Sequence, residues 1–432
     1  MSNLTIHVVR PGDTVWMLAR RYGVSMDSIV SANGLQDIPH LVVGQALVIP
    51  TRESGYLVKP GDSLWSLSRK FNVSVASIAA INGISVNTTI YPGMILRIPQ
   101  NAKNYGYVEV NAFIEPSTSQ AEAEQINEVG QYLTYISPFS YQVTPDGGLT
   151  PLNDTVMVEI GRRNRNAPLM VITNFRNGNF DTAMAHTILS TDSIQNTLIA
   201  NVTNTMKRVG YYGLIVDFER IDPADRQLYN SFLRKITSSM HQQNYIVGSA
   251  LAPKTSDALT GAWYGAHDYR AHGEILDFVI LMTYEWGWSG GAPFAVAPIN
   301  FVRPVIEYAV SVIPRKKIFM GVPLYGYDWK LPYKPGNPFA RRVSPQDAVK
   351  LAARYNSSIL YDYKVQSPYF YYYDENRVQH VVWFEDARSV QAKYLLLNEY
   401  ALRGVSYWEL GNEFPQNWAV LDNMFNIVKV VP

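Results

Sequence analysis

Short apolar runs recur along the chain from residue 105 onward, and polar or helical segments of a few tens of residues separate them. This alternation is typical of a parallel sheet or barrel built from βα units. Between the runs, apolar residues at helical spacing, as in residues 224–242 and 390–403, predict amphipathic helices. Eight runs favour a (β/α)8 TIM barrel over a doubly wound sheet, and the predicted strands are residues 108–114, 132–136, 169–173, 213–217, 247–251, 278–282, 318–323 and 405–408.

The interval between the seventh and eighth predicted strands is too long for one βα unit. Two alternating segments within it, residues 369–373 and 381–384, flank a turn at residues 374–376 and predict an antiparallel hairpin. We therefore expect a small α+β insertion in the barrel. Because the eight βα loops of such a barrel meet at the carboxyl ends of its strands, catalytic residues are expected there.

The first hundred residues contain one pattern twice, and Pro11 of the first copy corresponds to Pro60, 49 residues further along. Each copy begins with a short alternating strand that ends at Pro-Gly-Asp. Asp13 and Asp62 are predicted to cap the helix that follows. A repeat of this length indicates two copies of one small domain ahead of the predicted barrel.

Each copy continues with a second short helix, which Ser25 or Ser74 is predicted to cap and which ends at an Asn-Gly pair. An alternating segment then predicts a closing strand, so each copy has the order βααβ. The alternation consists of Ala46 and Val48 in the first copy, and of Met94, Leu96 and Ile98 in the second.

Both copies resemble the LysM module, a small glycan-binding domain, over their whole length. The resemblance implies binding to chains that contain N-acetylglucosamine, in a shallow groove between the Pro-Gly-Asp turn and the Asn-Gly loop. Two modules on one polymer would raise avidity. Trp16 and Trp65 are interpreted as core residues of small helices. The expected domains are LysM modules at residues 1–50 and 55–100 and the barrel at residues 105–432.

Asp217 and Glu219 stand at the end of the fourth predicted strand with one residue between them. Strand side chains alternate, so both carboxyl groups are expected to point the same way. At ~6.6 Å and an effective dielectric of ~20 their repulsion is roughly 2.5 kcal/mol, which favours one retained proton. Glu219 is then a candidate general acid with Asp217 as its neighbour. The alternative is a structural pair that caps a helix or pairs with Arg220 or Arg226.

Asp217 and Glu219 come from the same side of one strand, which restricts the catalytic mechanisms they can support. In a double-displacement glycosidase the acid and the nucleophile approach the scissile bond from different directions, about 5–5.5 Å apart. Asp217 is therefore badly placed to attack. If configuration is retained, the nucleophile is expected to be the 2-acetamido oxygen of an N-acetylhexosamine, with Asp217 orienting that amide.

The strand-four segment resembles glycoside hydrolase family 18, the chitinase-like enzymes, whose motif is Asp-Gly-x-Asp-x-Asp-x-Glu. The chain supplies Gly213, Asp217 and Glu219, but has Tyr212 and Ile215 where the family usually has Asp. The resemblance covers about residues 105–432. It implies a TIM barrel and substrate-assisted, retaining hydrolysis.

Other strand ends carry further family motifs. Tyr284 matches the family tyrosine whose hydroxyl donates to the acetamido oxygen, and Trp408 matches the tryptophan that forms the floor of the sugar subsite. Met282 and Glu285 belong to the same strand-six motif, Glu285 in place of Asp, and are expected to bind substrate. Asn174, at the end of the third strand, is a further expected substrate contact.

Composition excludes several other chemistries. The chain has no cysteine, so disulfides, thiolate metal sites and a Cys nucleophile are excluded. No His-Glu-x-x-His, Gly-x-Ser-x-Gly or phosphate-loop motif is present, and we expect no metal and no cofactor. The formal charge of +1 argues against nucleic acid or membrane partners. We expect a monomer that binds peptidoglycan or another N-acetylglucosamine polymer.

The combination of two LysM modules with a family 18 barrel resembles the spore cortex-lytic enzymes of spore-forming bacteria. This implies an N-acetylglucosaminidase that acts on cortex peptidoglycan during germination. No signal peptide is visible at the N-terminus, so we expect a location in the spore coat or cortex, or otherwise at the cell wall. The alternatives are a chitinase held on chitin by the modules, and a catalytically silent glycan-binding protein.

Overall fold

The structure is a computed structural model of the chain and describes residues 5–51, 53–71, 73–99, 105–116 and 119–431. Two βααβ modules precede a larger domain. Their elements are β1 (Thr5–Val8), α1 (Val15–Tyr22), α2 (Met26–Asn33) and β2 (Ala46–Ile49), then β3 (Glu53–Leu57), α3 (Leu64–Phe71), α4 (Val75–Ile81) and β4 (Ile95–Pro99). In each module the first strand pairs with the last in antiparallel register. The predicted order of elements is confirmed.

The larger domain begins at Tyr107. Its elements as far as the seventh barrel strand are β5 (Tyr107–Ile114), α5 (Ser119–Val129), β6 (Tyr135–Pro138), β7 (Tyr141–Gln142), α6 (Thr155–Arg163), β8 (Ala167–Thr173), β9 (Phe175–Arg176), β10 (Asn179–Phe180), α7 (Thr182–Ser190), α8 (Asp192–Val209), β11 (Gly213–Asp217), α9 (Arg226–His241), β12 (Ile246–Leu251), α10 (Tyr269–Ile275), β13 (Phe278–Leu281), α11 (Ile299–Val312) and β14 (Ile318–Pro323).

An insertion follows β14, and its apolar cluster also includes Val42 of the first module. Its strands pair in one antiparallel sheet of five. The elements are β15 (Gly326–Lys330), β16 (Arg341–Val343), α12 (Pro345–Arg354), β17 (Leu360–Asp362), β18 (Ser367–Tyr373) and β19 (Gln379–Trp383). The predicted hairpin corresponds to β18 and β19. The chain then returns to the barrel through α13 (Ala387–Glu399), β20 (Gly404–Trp408), α14 (Pro415–Met424) and β21 (Asn426–Ile427).

Eight parallel strands close into a barrel in the order β5, β6, β8, β11, β12, β13, β14 and β20, because β20 pairs with β5. The predicted (β/α)8 class and all eight predicted strands are confirmed, with shifts of a few residues at some ends. Alternate residues of β11 point to the outer helices and to the barrel interior. Leu214, Val216 and Phe218 pack with the outer helices, while Ile215 belongs to the cluster inside the barrel. Within the described ranges, no helix is long and apolar enough to cross a membrane.

Two local predictions for the modules are wrong. Trp16 and Trp65 are 54% and 65% exposed, because the inward faces of α1 and α3 are formed by other apolar residues. The caps also differ: Thr14, not Asp13, accepts the hydrogen bond from the Met17 amide, at 3.1 Å. The Asp carboxylate instead stabilises the preceding turn.

The predicted closing strand of the first module is confirmed as β2, and its two faces pack against different cores. Leu47 and Ile49 fill the core of the first module, whereas Ala46 and Val48 pack into the core of the barrel domain. In the second module Ile95, which corresponds to Ala46, is 73% exposed, whereas Ala46 is 2% exposed. The first module is therefore fixed to the barrel by a shared apolar core.

This shared core gives a matched pair of substitutions. Ala46→Asp places an unpaired carboxylate in the core, and we expect it to lower the free energy of unfolding of the barrel by about 3 kcal/mol or more. The same change at the exposed Ile95 is expected to have an effect of less than about 0.5 kcal/mol. Urea unfolding followed by tryptophan fluorescence and circular dichroism measures both. If the two variants unfolded at the same midpoint, the first module would be independent of the barrel.

Candidate active site

Asp217 and Glu219 lie at the carboxyl end of β11, on the side of the strand that faces the barrel interior. Both are buried, with 4% and 8% exposure. Oδ1 of Asp217 has no hydrogen-bond partner among the described residues. The residue two positions before it, Ile215, sits in the apolar cluster of the interior, so no acid lies below Asp217 on this strand. The site therefore holds two closely spaced carboxyl groups in an environment of low polarity.

Both carboxyl groups titrate far from their usual range. Burial raises the pKa of Asp217 to about 7. The pKa of Glu219 is raised well above its ordinary value, first by burial and then by the charge of Asp217, while Arg220 acts in the opposite direction. The sequence predicts the repulsion, but burial is the larger cause. A protonated Glu219 is thus favoured near neutral pH.

Asn174 and His267 hold the backbone that carries the two acids. Asn174 is fully buried, and its side chain accepts from the Glu219 amide at 2.9 Å and donates to the Glu219 carbonyl at 2.8 Å. His267 accepts from the Ala252 amide through Nδ1 at 2.8 Å, so its Nε2–H donates to the carbonyl of Phe218 at 3.0 Å. Burial lowers the pKa of His267 to about 4, which keeps the ring neutral. The acids are therefore rigidly positioned.

These contacts change the expectation for Asn174. The sequence suggests a substrate contact, but both ends of the side-chain amide are engaged by the Glu219 backbone. His267 is buried behind the same backbone. Neither role follows from the sequence, because the partners lie 45 and 49 residues apart along the chain.

Tyr284 follows β13 and reaches the same site. Its pKa is raised well above the usual value, first by burial and next by the charges of Asp217 and Glu219. The ring needs space at the neighbouring strand: a Cβ on Gly321 would lie 2.8 Å from Cε1 of Tyr284. The absence of a side chain at Gly321 therefore allows the hydroxyl-bearing ring to lie beside the acids.

Glu285, the next residue, faces the insertion. It accepts hydrogen bonds from the hydroxyl groups of Tyr325 and of Tyr327, the latter at 2.9 Å. Burial raises the pKa of Glu285, although both hydroxyl groups act against that rise. Met282 is half-buried at the end of β13. The predicted strand-six residues thus lie together at one edge of the site.

Trp408 ends β20, which lies four strands from β11 around the barrel, and it is half-buried. Its ring makes edge-to-face contacts with the rings of Phe113 and Phe139, at centroid distances of 5.5 and 4.7 Å. Such perpendicular contacts fix the orientation of an aromatic ring. Trp408 therefore offers a held, partly exposed face at the carboxyl end of the barrel.

A charged cluster beside Trp408 was not predicted. Arg342 of the insertion binds Glu409 with Nη1–Oε1 at 2.6 Å, and its guanidinium lies 4.0 Å from the centroid of the Tyr325 ring. Burial raises the pKa of Glu409 to about 7 although Arg342 opposes it. Glu409 directly follows the eighth strand, so its position could have indicated a site residue. Arg342 comes from the inserted sheet, and no sequence signal indicates that it lies at the site. Among the described residues, no group of three or more His, Asp or Glu side chains is placed to hold a metal ion.

A TIM barrel with Asp-x-Glu at its fourth strand and two βααβ modules in front defines a modular glycoside hydrolase. The sequence profile "Glycosyl hydrolases family 18" matches residues 178–413, and the LysM domain profile matches residues 7–50 and 56–99. The chain belongs to glycosyl hydrolase family 18 and carries two LysM modules. Such modules bind peptidoglycan or chitin-like glycans.

Proteins of three Bacillus species are similar to this chain over almost its whole length. The chain is 48% identical to a cortical fragment-lytic enzyme of Bacillus cereus over 430 residues, 99% of each chain. It is 49% identical to a cortical fragment-lytic enzyme of Bacillus subtilis (strain 168) over 429 residues, also 99% of each. Among solved structures, the spore cortex-lytic enzyme SleL of Bacillus megaterium QM B1551 superposes with a TM-score of 0.92 at 42% identity, covering all of both chains.

Proposed function

We propose that this chain is a retaining N-acetylglucosaminidase that cleaves spore cortex peptidoglycan by substrate-assisted catalysis during germination. The observation that carries the mechanism is the placement of Asp217 and Glu219 on one side of one strand, with the pKa of Glu219 well above its ordinary value. The full-length similarity to cortical fragment-lytic enzymes supports cortex as the substrate. The presence of the acid argues against a silent binding protein.

In the first step, protonated Glu219 donates its proton to the oxygen of the scissile glycosidic bond. The carbonyl oxygen of the sugar's own 2-acetamido group attacks the anomeric carbon as that bond breaks, which gives a cyclic oxazolinium ion and a free sugar hydroxyl. Asp217 accepts a hydrogen bond from the acetamido N–H and stabilises the positive charge. The hydroxyl of Tyr284 donates to the acetamido oxygen and orients it for attack.

In the second step, ionised Glu219 removes a proton from a water molecule that attacks the anomeric carbon. The acetamido group reopens and Glu219 regains its proton. Two displacements at one carbon retain the anomeric configuration. Trp408 supports the sugar from below, Met282 and Glu285 contact it at the strand-six side, and Asn174 acts as a positioning residue through the Glu219 backbone.

The partners and location follow from the same proposal. The polymer partner is cortex peptidoglycan, and the protein works as a monomer at the spore coat or cortex, without nucleic acid or membrane partners. The similarity to spore cortex-lytic enzymes supports this location.

Product analysis tests the function. Purified cortex peptidoglycan and chitin are digested in parallel, and we expect mass spectrometry to find fragments with reducing N-acetylglucosamine ends from cortex. Proton NMR during the first minutes is expected to show the β-anomer as the initial product. Release from chitin alone would instead indicate a chitinase, and an initial α-anomer would contradict the substrate-assisted mechanism.

A further inference from the structure

The two LysM modules share one fold but differ in their surroundings. In both, the Asn of the Asn-Gly loop binds the closing strand: Oδ1 of Asn33 accepts from the Val48 amide at 2.7 Å, and Oδ1 of Asn82 accepts from the Arg97 amide at 2.7 Å. The following glycines also share a positive φ, 60° for Gly34 and 63° for Gly83. The loops are therefore comparable position by position.

In the first module the barrel domain occupies this loop. Nε2 of Gln416 donates to Oδ1 of Asn33 at 3.0 Å and to the carbonyl of Ala46 at 2.8 Å. The amide of Gln346 donates to the carbonyl of Gly34, where a Cβ would lie 2.9 Å from Gln346 Nε2 and 3.0 Å from Pro415 Cγ. One edge of the expected glycan groove is thus filled by protein.

The contact extends along the module to the turn before β2. The amide of Ile359 in the insertion donates to the carbonyl of Val43 at 2.9 Å, and Arg388 donates to the carbonyl of Gly44 at 3.2 Å. A Cβ at Gly44 would lie 1.8 Å from the carbonyl oxygen of Ile359. This close approach excludes any larger residue there.

The corresponding positions of the second module are open. A Cβ at Gly83 or Gly93 would have no heavy atom of the described residues within 4 Å, in contrast to Gly34 and Gly44, while the turn glycines Gly12 and Gly61 are open in both modules. The outward residues of β4 also differ in chemistry, since exposed Ile95 and Arg97 stand where Ala46 and Val48 are buried. The Pro-Gly-Asp turn and the Asn-Gly loop of the second module are therefore accessible together.

We propose that the first LysM module is a fixed part of the catalytic body and that the second module binds the N-acetylglucosamine polymer. This division rests on the proposed action on such a polymer and assigns the attachment to one groove. The groove lies between the turn at residues 60–62 and the loop at residues 82–88. In the first module the equivalent loop holds the barrel and insertion together instead.

Hydrogen exchange of the full-length Glu219→Gln variant with chitohexaose, a soluble β-1,4 hexamer of N-acetylglucosamine, tests the assignment. The variant keeps the probe intact, and slower exchange at residues 217–220 reports binding in the barrel cleft as an internal control. We expect slower exchange at residues 59–64 and 82–88 and unchanged exchange at residues 10–15 and 33–38. Slower exchange at residues 33–38, or unchanged exchange in both modules, would overturn the proposal.

A matched pair of exposed positions gives a second measurement. Gln36 and Ser85 are equivalent and exposed in the two loops. In the same Glu219→Gln background, Ser85→Trp is expected to weaken sedimentation with insoluble peptidoglycan about tenfold, whereas Gln36→Trp changes it less than about twofold. Equal losses would overturn the assignment. Hydrolysis of soluble fragments by parent protein, measured in parallel, shows separately whether the proposed function holds.

Discussion

Glu219→Gln is expected to lower the turnover of soluble peptidoglycan fragments by about 10³-fold. The amide cannot supply a proton to the leaving oxygen, and general acid catalysis contributes roughly 10²–10⁴-fold. Glutamine has nearly the shape of the native side chain, and the backbone at this position is held by Asn174. KM is therefore expected to change little while kcat falls.

The leaving group separates loss of the acid from loss of structure. An aryl N-acetylglucosaminide with a strongly acidic phenol needs little protonation, so on this substrate the loss for Glu219→Gln is expected to be at least tenfold smaller. Glu128→Gln, an exposed change on α5, serves as the control with unchanged rates. The same loss on both substrates would remove Glu219 from the role of acid.

The fold was largely predictable because apolar residues recur at two regular spacings, that of strands and that of helices. β11 reads as an unbroken apolar run that ends in two acids, and its alternation places Ile215 and Asp217 inside the barrel. The two acids and the aromatic ends of β13 and β20 follow from the same rule, because the carboxyl ends of barrel strands converge. The spacing of residues along a barrel strand therefore predicts which side chains meet at the site.

The parts that escaped prediction join segments far apart in the chain. The support of the acids by Asn174 and His267, and the Arg342–Glu409 pair, depend on loop and insertion contacts that no local period encodes. The packing of Ala46 and Val48 against the barrel domain could not be predicted from β2 alone, because a short apolar strand looks the same whichever face is inward. Comparing the repeats would have helped, since Arg97 at the position of Val48 cannot serve as a core residue.

Asp217→Asn is expected to stabilise the protein at neutral and alkaline pH while lowering turnover by about 10²-fold or more. The folded pKa of Asp217 is about 7, above its ordinary value of 3.8, because the carboxyl group is buried. The folded chain therefore binds more protons than the unfolded chain between about pH 4 and 7, and stability falls as pH rises through that window. Asparagine carries no charge and avoids this loss.

The expected gain for Asp217→Asn is roughly 2–4 kcal/mol at pH 8, and it shrinks toward zero near pH 4. Urea unfolding of parent and variant at both pH values measures the difference, with Asp37→Asn on the exposed loop of the first module as the control. A variant that was less stable than the parent at pH 8 would mean that the ionised carboxylate makes favourable contacts in the folded state. The combination of higher stability and lower turnover would mark Asp217 as a residue kept for catalysis at a cost in stability.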